Sequence, residues 1–328
     1  MKAACTVSEY ANIVPVDFWN PDPTVMARAG ALIRAGELVA FPTETVYGLG
    51  GNALDGAAVK KIYAAKGRPS DNPLILHFPN PEAVERAAYV DARAKKLMEH
   101  FWPGPLTLVL PSRDCVSKEA RGGLETVGCR MPDYPAALAF FSACGVPVAG
   151  PSANRSGRPS PTNARTVAED IGDGVAMILD AGECRVGVES TVLDVCDTVP
   201  VLLRPGGVPM EQLQEFLGEV ALPVGINQLK RSPGTRYRHY APNVEVKVWQ
   251  PGEEFRWPER FVFMGVSTPE KAPERGITFG GYEAYAHGLF TAMRELEKDG
   301  LPIVAEWPPL CGIGRALRDR ISRAAGLS

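Results

Sequence analysis

Apolar and polar residues alternate along the first two-thirds of the chain in blocks that predict strands and helices in turn. The short apolar segments Glu37–Phe41 and Leu74–Phe78 predict buried strands. Between them, apolar residues recur at helical spacing over Gly56–Lys66. An earlier helix over Pro23–Ala35 is indicated by the proline near its start and by Gly36 directly after its end. The same patterns predict one or two helices at Pro81–Phe101, helices at Pro135–Cys144, Ala164–Ile171 and Met210–Leu217, and strands at Leu106–Leu110, Thr126–Met131, Val146–Ala149, Val175–Leu179, Thr191–Val195 and Val201–Arg204.

The segment between residues 105 and 131 contains two predicted strands with no helix between them. Parallel neighbours need a long crossover, usually a helix, whereas antiparallel neighbours do not. The chain therefore predicts an α/β fold built on a mixed sheet rather than on a purely parallel one.

The pattern changes at Val224–Asn243, which is polar, contains a Pro-Gly pair and has no apolar periodicity. Such a segment predicts a linker. A second strand–helix alternation follows, with strands at Val244–Trp249, Arg260–Met264 and Pro302–Ala305, a helix at Glu283–Lys298 and a last helix from Ile313. We therefore divide the chain into a domain over 1–223, a linker or lid over 224–243, and a small three-layer α/β domain over 244–328. The last helix carries Arg315, Arg318, Arg320 and Arg323, which predict a solvated polar face.

Composition narrows the class of protein further. Hydrophobic residues make up 45% and charged residues 22% of the 328 residues, a balance that excludes a disordered polyelectrolyte. The 35 basic and 38 acidic residues leave a formal charge of −3, which excludes a globally basic nucleic-acid coat. The seven cysteines form no CxxC pair, and with only four histidines a structural metal site is not expected. No apolar run reaches membrane length and the N-terminus has no signal-peptide pattern, so we expect a cytoplasmic protein without membrane association.

Familiar catalytic motifs are missing. The chain has no P-loop, no G-x-S-x-G elbow and no H-E-x-x-H pair. Residues Gly48–Ala53 match G-x-G-x-x-A, but a dinucleotide site also needs an acid that ends the second strand. Asp71 precedes that strand, so a glycine turn is the favoured interpretation and an NAD-dependent enzyme remains an alternative.

Four polar clusters follow or begin predicted strands, where α/β proteins place their ligands, and a fifth follows the helix predicted at Gly56–Lys66. Each cluster alone has a structural interpretation as a cap, a turn or a charge at a helix end. Their number indicates a ligand site, and Arg68 in a proline-stiffened turn suits a phosphate. The clusters are FPTETVYGL at 41–49, KGRP at 66–69, PSANRSG at 151–157, ESTVLD at 189–194 and LRPG at 203–206.

In order along the chain, FPTETVYGLG, AKGRPSDNPLILH, FWPGPLT, VGCRMP, GPSAN, ESTVLD and LLRPGG resemble the YrdC-type core of L-threonylcarbamoyladenylate synthases. The match covers about residues 20 to 220. The later segment SPGTRYRHYAP and the small domain after it resemble the two-domain branch of this Sua/YciO/YrdC family. The resemblance implies a twisted mixed sheet with a concave basic cleft, followed by a small Rossmann-like three-layer α/β domain.

The resemblance also implies a nucleotidyltransferase that converts ATP, L-threonine and bicarbonate into threonylcarbamoyl-AMP and pyrophosphate. A separate threonylcarbamoyl-transferase complex would then modify the adenosine beside the anticodon of certain tRNAs, and a direct tRNA contact of this chain is left open. Mg²⁺ is expected to accompany ATP, although no carboxylate cluster in the sequence indicates a dedicated metal cage.

Site residues follow from the same resemblance, position by position. Lys66 and Arg68 are expected to act in catalysis by neutralising the triphosphate. The nucleotide side comprises Lys66, Arg68, Asn72, Thr126, Ser152, Asn154, Ser160, Arg204 and Tyr240. The L-threonine side comprises Thr43, Thr45, His77, Arg130 and Ser190.

Other interpretations of these features stay open at this point. His77 in an apolar strand is by itself more typical of a core residue, Trp102 is expected in the core, and Asp194 is either a metal or network residue or an acid bonded to backbone. The basic and aromatic residues of the linker favour a lid over a plain tether. A tRNA-binding or double-stranded-RNA-binding protein that uses the same cleft without turnover is the alternative function, and it predicts salt-sensitive RNA affinity.

Overall fold

The computed structural model of the chain describes residues 12–233 and 239–327, and within them the strands form two separate sheets. The larger sheet has ten strands in the order β1-β8-β2-β3-β7-β4-β6-β5-β9-β10. These strands are β1 Ile13–Pro15, β2 Val39–Phe41, β3 Gly48–Asn52, β4 Ile75–His77, β5 Leu106–Pro111, β6 Thr126–Arg130, β7 Val148–Ala149, β8 Met177–Asp180, β9 Thr191–Asp194 and β10 Val201–Arg204.

This sheet contains both parallel and antiparallel pairs, which confirms the predicted mixed topology. β4 pairs with β6 and β5 pairs with β9 in parallel, whereas β5 and β6, which follow each other without a helix, pair antiparallel. The helices of this part are α1 Pro23–Arg34, α2 Gly56–Lys66, α3 Pro81–Val84, α4 Ala92–Phe101, α5 Pro135–Cys144, α6 Ala164–Ile171, α7 Met210–Leu217 and α8 Ile226–Leu229.

The glycine turn predicted at GLGGNA is wrong, because Gly48–Asn52 is a strand that pairs antiparallel with β2. Glycine is needed here because a side chain approaches the backbone closely, not because the chain turns. A Cβ added at Gly48 would lie 2.4 Å from Cζ of Phe41, and one added at Gly150 would lie 2.8 Å from the same atom. The Phe41 ring therefore fills the space beside two glycines, on the strands that border the site described below.

The C-terminal end of helix α2 positions two of the candidate residues, Lys66 and Arg68. Asp55 caps its start by accepting a hydrogen bond from the backbone N–H of Ala57, and Gly67 ends it in the left-handed region with φ +61°. Lys66 is consequently the last helical residue and Arg68 the first after the turn. Their side chains are both buried.

The smaller sheet has four parallel strands in the order β11-β14-β12-β13. Helices α9 Tyr282–Leu296 and α10 Gly314–Ala325 pack on one face, and the aromatic side chains of Phe255 and Trp257 pack on the other. β13 joins this sheet although the sequence pattern did not predict it. The strands are β11 Val246–Trp249, β12 Val262–Gly265, β13 Arg275–Thr278 and β14 Ile303–Glu306, and two short 3-10 helices lie at Gly172–Gly174 and Glu297–Asp299.

The solvated face predicted for the last helix is wrong: none of its four arginines is fully exposed, and the largest departure is at Arg320. Arg320 has no solvent exposure, because α10 packs against the larger domain and directs this side chain to Glu189. An arginine can be buried in this way when a carboxylate and carbonyl oxygens receive its N–H groups. The carboxylate that does so lies 131 positions away in the chain, so the helical pattern alone could not indicate it.

Membrane-spanning helices and clusters of metal ligands are both absent from residues 12–233 and 239–327. No helix there combines the length and apolar character that a membrane crossing requires. No group of three or more His, Cys, Asp or Glu residues in the same ranges is arranged to hold a metal ion.

Candidate active site

A cavity with about 540 Å³ of empty space, part of it open to solvent, lies where the polar clusters of the sequence meet. Nine of the predicted site residues line it, Tyr240 among them, and the segment after the first domain contributes two further lining residues, Pro233 and His239. The lining residues are Thr43, Thr45, Val46, Tyr47, Gly48, Arg68, Ile75, His77, Arg130, Gly150, Pro151, Ser152, Glu189, Ser190, Arg204, Pro233, His239 and Tyr240.

The cavity wall carries an excess of buried positive charge. Arg68, Arg130 and Arg204 line it and are each less than 10% exposed, whereas Glu189 is the one carboxylate among its described lining residues. Guanidinium groups that face a cavity bind carboxylates and phosphates in preference to neutral groups. The lining therefore suits an anionic ligand.

One end of the cavity is formed by the threonine-rich segment between β2 and β3. The Thr43 hydroxyl donates to the Val46 carbonyl at 2.7 Å and lies 2.8 Å from the Thr45 hydroxyl, which folds the segment into a tight turn. Arg130 donates through Nη1 to the Thr45 hydroxyl at 2.9 Å. Its Nη2 forms a buried ion pair at 2.6 Å with Glu44. The guanidinium is thus held in place and faces the cavity.

The opposite wall is formed by the ends of β9 and β10. Arg204 donates through Nη2 to the Ser190 carbonyl at 2.9 Å and to its hydroxyl at 3.2 Å. The Ser190 hydroxyl also lies 2.8 Å from the hydroxyl of Thr107 on the neighbouring strand β5. Burial lowers the pKa of Arg204. Its side chain is fixed by the backbone of the strand next to it rather than by an acid.

His77 lines the cavity, and one of its ring nitrogens has no hydrogen-bond partner among the described residues. Its ring stacks on Phe141 with centroids 5.6 Å apart, and its Nδ1 has no hydrogen-bond partner within the described structure. Burial, followed by the nearby Arg130, lowers the pKa of His77 to about 3. A neutral imidazole with an open nitrogen can exchange a hydrogen bond with a bound ligand.

The depressed pKa of His77 predicts a pH-dependent stability. A histidine titrates near 6.5 in an unfolded chain, so between about pH 6.5 and pH 3 the unfolded state binds more protons and the free energy of unfolding falls with falling pH. We expect His77→Phe to reduce the loss of unfolding free energy between pH 7 and pH 5 by about 2 kcal/mol. Urea unfolding at both pH values measures this difference. The same loss in His77→Phe, wild type and the exposed-site variant His100→Gln would contradict it.

Lys66 holds the loop after β7 and is not among the residues that line the cavity. Its Nζ donates to the carbonyls of Ser152 and Asn154 at 2.5 Å each, and lies 3.5 Å from the Asn154 side-chain oxygen. Burial, with a smaller contribution from Arg68, lowers the pKa of Lys66 well below its usual range. Three oxygen acceptors match the three N–H donors of an ammonium group.

Four other predicted nucleotide-side residues lie outside the cavity lining. Ser160 donates to Glu189 at 2.6 Å, so it contacts a lining residue. The Asn154 side chain accepts from the Ser152 hydroxyl at 2.6 Å. Asn72 is buried in the turn after Arg68, and Thr126 is the half-buried first residue of β6.

The segment predicted as a linker or lid contributes Pro233, His239 and Tyr240 to the cavity wall. Its Arg231 pairs with Asp194 at 2.8 Å, and Asp194 also accepts the backbone N–H of Cys196. Asp194 is therefore a network residue bonded to backbone. Arg236 and Arg238, which also suggested the lid, lie outside the described residues.

Tyr240 rests on side chains of the second domain. Its ring stacks on Phe290 of α9 with centroids 5.3 Å apart, and the Arg320 guanidinium lies 5.2 Å from its ring centre. Its backbone is left-handed, with φ 63°, an uncommon conformation for a residue that is not glycine. Burial raises the pKa of Tyr240.

Sequence reasoning missed two buried ionic contacts of this site and predicted one structural residue correctly. In the sequence, Glu44 is only an acid between two threonines. Its ion pair with Arg130 can be recognised only once the fold has placed the two side chains together. The contact between Arg320 and Glu189 joins the domain of the smaller sheet to the domain of the larger sheet, and no local sequence pattern indicates it. Trp102 is buried in the core and donates to the Leu106 carbonyl at 2.7 Å, as its core interpretation predicts.

Known proteins are similar to this chain over nearly its whole length. A family described as "Telomere recombination" matches residues 31–206, and one described as "Threonylcarbamoyl-AMP synthase, C-terminal domain" matches residues 208–326. The threonylcarbamoyl-AMP synthase of Bacillus subtilis is 44% identical and covers 93% of this chain and 94% of its own. That of Pyrococcus abyssi is 43% identical, with coverages of 91% and 93%. The crystal structure of P. abyssi Sua5 complexed with L-threonine superposes with a TM-score of 0.88 at 40% identity, over 96% of this chain and 97% of that one.

Proposed function

Since this chain belongs to the threonylcarbamoyl-AMP synthase family, we propose that it converts ATP, L-threonine and bicarbonate into threonylcarbamoyl-AMP and pyrophosphate. The observation that carries the proposal is the cavity itself, where three buried arginines face hydroxyl groups and a neutral histidine. Such a wall suits a triphosphate together with a small hydroxylated amino acid. A Sua5 structure with L-threonine bound supports the amino-acid half.

The reaction needs positioning and charge stabilisation more than a covalent nucleophile. The ammonium group of L-threonine first loses a proton. The free amine then either adds to carbon dioxide with release of a second proton or condenses with bicarbonate with release of water, and both routes give a carbamate. One carbamate oxygen then attacks the α-phosphorus of ATP, and pyrophosphate leaves. Holding the reactants in line supplies most of the rate enhancement in such transfers.

We assign the cavity's charged residues to the two anionic ends of the reactants. Arg130, fixed by Glu44 and Thr45, offers its planar guanidinium to the carboxylate of L-threonine. Arg68 and Arg204 compensate the phosphate charge that shifts during the transfer. Thr43, His77 and Ser190 complete the amino-acid side by hydrogen bonding. Of the other residues predicted on the nucleotide side, Ser152, Asn154 and Ser160 lie in the loop that Lys66 holds. Asn72, Thr126 and Tyr240 lie outside that loop.

We expect Mg²⁺ to arrive with ATP rather than to be held by a cage of this chain. Glu189 is the carboxylate that lines the described cavity, and its two oxygens already receive Ser160 and Arg320. A metal ion at Glu189 would have to compete with these two contacts, so this carboxylate is poorly suited as a metal ligand. The phosphates and water are better oxygen ligands for Mg²⁺ here.

The product would supply a threonylcarbamoyl-transferase complex that modifies the adenosine beside the anticodon of tRNA. Threonylcarbamoyl-AMP is a mixed carbamic–phosphoric anhydride, which water can hydrolyse. We therefore assign residues 224–243 the role of a lid between a catalytic domain over 1–223 and a second domain over 244–328. Pro233, His239 and Tyr240 support this assignment because they lie in the cavity wall. A lid excludes water from a reactive intermediate.

The lid predicts that Tyr240→Ala uncouples the reaction. Without the buried ring, water reaches the adenylate, so we expect threonylcarbamoyl-AMP recovered per pyrophosphate released to fall about tenfold. Parallel quantification of both products measures the ratio. Tyr240→Phe keeps the ring on Phe290 and is expected to keep the ratio near the wild-type value. A wild-type ratio in Tyr240→Ala would show that the ring does not protect the adenylate.

Pyrophosphate release tests the proposed function directly. We expect release from ATP to require both L-threonine and bicarbonate, and to fail with serine or glycine in place of L-threonine. ATP that stays intact under all conditions would reject the synthase proposal. Salt-sensitive binding of tRNA or double-stranded RNA without turnover would then favour the RNA-binding alternative.

A further inference from the structure

The loop between β7 and α6, at residues 150–163, carries Ser152, Asn154 and Ser160 of the proposed nucleotide side. Its inner face is held by Lys66, as described above. Its middle is held by Asn154, whose Nδ2 donates to the carbonyls of Arg155 and Arg158 at 2.9 Å each. The shape of this loop therefore decides the position of Ser152 in the cavity wall and of Asn154, which accepts the Ser152 hydroxyl.

The second domain contacts the outer face of the same loop at two ionic contacts. Arg158 forms a two-pronged pair with Glu297, with Nη1 2.8 Å from Oε2 and Nη2 bound to Oε1. Glu297 lies directly after α9, in the 3-10 helix, and Oε2 also accepts the backbone N–H of Asn243 at 2.7 Å. One carboxylate thus connects the loop, the end of the lid segment and the second domain.

The second contact lies one helical turn earlier on α9. Arg294 donates to the Pro159 carbonyl of the loop and forms a two-pronged pair with Asp170 of α6, at 3.1 and 2.7 Å. The backbone N–H of Arg155 donates to the same Asp170 carboxylate at 3.3 Å. Residues 155 to 159 are consequently held on their outer side by Arg294 of α9 and by Glu297 directly after it. Asp170, which pairs with Arg294, adds a third contact.

These contacts are shielded from solvent, so they contribute more than ordinary surface ion pairs. The side chains of Arg158 and Glu297 are 21% and 12% exposed, and those of Arg294 and Asp170 are 14% and 11% exposed. Two-pronged pairs of arginine with carboxylate also fix orientation as well as distance. The hydrogen bonds to Arg158 and to the Asn243 backbone lower the pKa of Glu297 against the effect of its burial, which keeps the carboxylate ionised.

We infer that the second domain forms the outer support of the nucleotide site, with Arg294 and Glu297 as positioning residues for loop 150–163. Neither side chain lines the cavity, so both act through the loop. The inference rests on the proposed function for the identity of the ligand. It assigns the second domain a role in ATP affinity that is separate from L-threonine binding.

Steady-state kinetics of Glu297→Gln test this role. Gln keeps the size of the side chain but loses the charge that holds Arg158, so we expect KM for ATP to rise about tenfold. KM for L-threonine is expected to change less than twofold, because the Arg130 end of the cavity has no contact with Glu297 in the described structure. Glu295→Gln is the matched control, since Glu295 pairs with the exposed Lys298 on the same helix end.

Charge reversal separates positioning from a simple loss of folding. Arg158→Glu and Glu297→Arg are each expected to raise KM for ATP, and the double variant is expected to recover most of the loss. Calorimetric binding of L-threonine to every variant reports on folding independently of ATP. An unchanged KM for ATP in Glu297→Gln, equal rises in both KM values, or no recovery in the double variant would each overturn the inference. Failure of the wild-type chain to release pyrophosphate would instead reject the proposed function.

Discussion

Replacement of Arg68 by alanine is expected to lower turnover by at least about 10²-fold, the usual cost of removing a group that stabilises charge in a transition state. Arg68 lies in the cavity wall with only 8% exposure, and Nη2 is directed by the Pro73 carbonyl at 3.2 Å. The left-handed Gly67 and the two prolines of the turn fix the backbone from which the side chain starts. Alanine leaves the turn intact and removes the charge.

Single-turnover pyrophosphate release at saturating ATP and L-threonine measures this effect apart from binding. Arg28→Ala, on the exposed part of α1, is a control for the general loss of one arginine. Arg68→Lys is expected to recover only part of the rate, because an ammonium cannot reproduce the planar fork. Near-normal turnover in Arg68→Ala would show that the phosphate charge is compensated elsewhere.

Local patterns were enough to predict most elements of the fold, and the exceptions have a common physical cause. Helix α2 and strand β4 carry their own periodicity, caps and apolar runs, so each is predicted close to its observed bounds. β3 consists of GLGGN, where glycine removes the side-chain pattern that a strand prediction needs. β13, with the sequence RGIT, is exposed at three of its four positions and has no apolar run. Both strands are stabilised by their neighbours in the sheet.

The candidate site follows the same division between local and distant information. Polar clusters in the sequence indicated Arg68 and Ser190, and the family resemblance added His77 and Arg130; all four line the cavity. The ion pairs that hold them are formed across the fold, as for Glu44 with Arg130. A sequence pattern can indicate which groups face a ligand, but the groups that orient them are recognised only once the strands are placed.

Lys66 is predicted to belong to the nucleotide side, although it does not line the cavity. The motif resemblance predicts that it neutralises the triphosphate, whereas its Nζ is surrounded by the oxygens of Ser152 and Asn154. Both descriptions agree if the ammonium shapes the loop and its charge acts across the loop on the phosphates. A buried ammonium group would then interact with nearby phosphates more strongly than an exposed one, because the protein interior screens charge less than water does.

We therefore expect Lys66→Met to lower turnover by at least about 10²-fold, since it removes both the charge and the loop's central donor. Methionine matches the length of the lysine stem but leaves the Ser152 and Asn154 carbonyls without their partner. An unsatisfied buried carbonyl costs about 1–3 kcal/mol, so the loop is expected to rearrange rather than to keep its shape. Pyrophosphate release at saturating substrates measures the rate.

The loop's involvement gives Lys66→Met a second expected effect that Arg68→Ala lacks. KM for ATP should rise in Lys66→Met together with the fall in turnover, because Ser152 and Asn154 move with the loop. Lys60→Met is the matched control on the same helix, where the side chain is exposed and pairs with Glu119. If Lys66→Met retained wild-type turnover, the ammonium would be needed neither for the charge of the site nor for the shape of its loop.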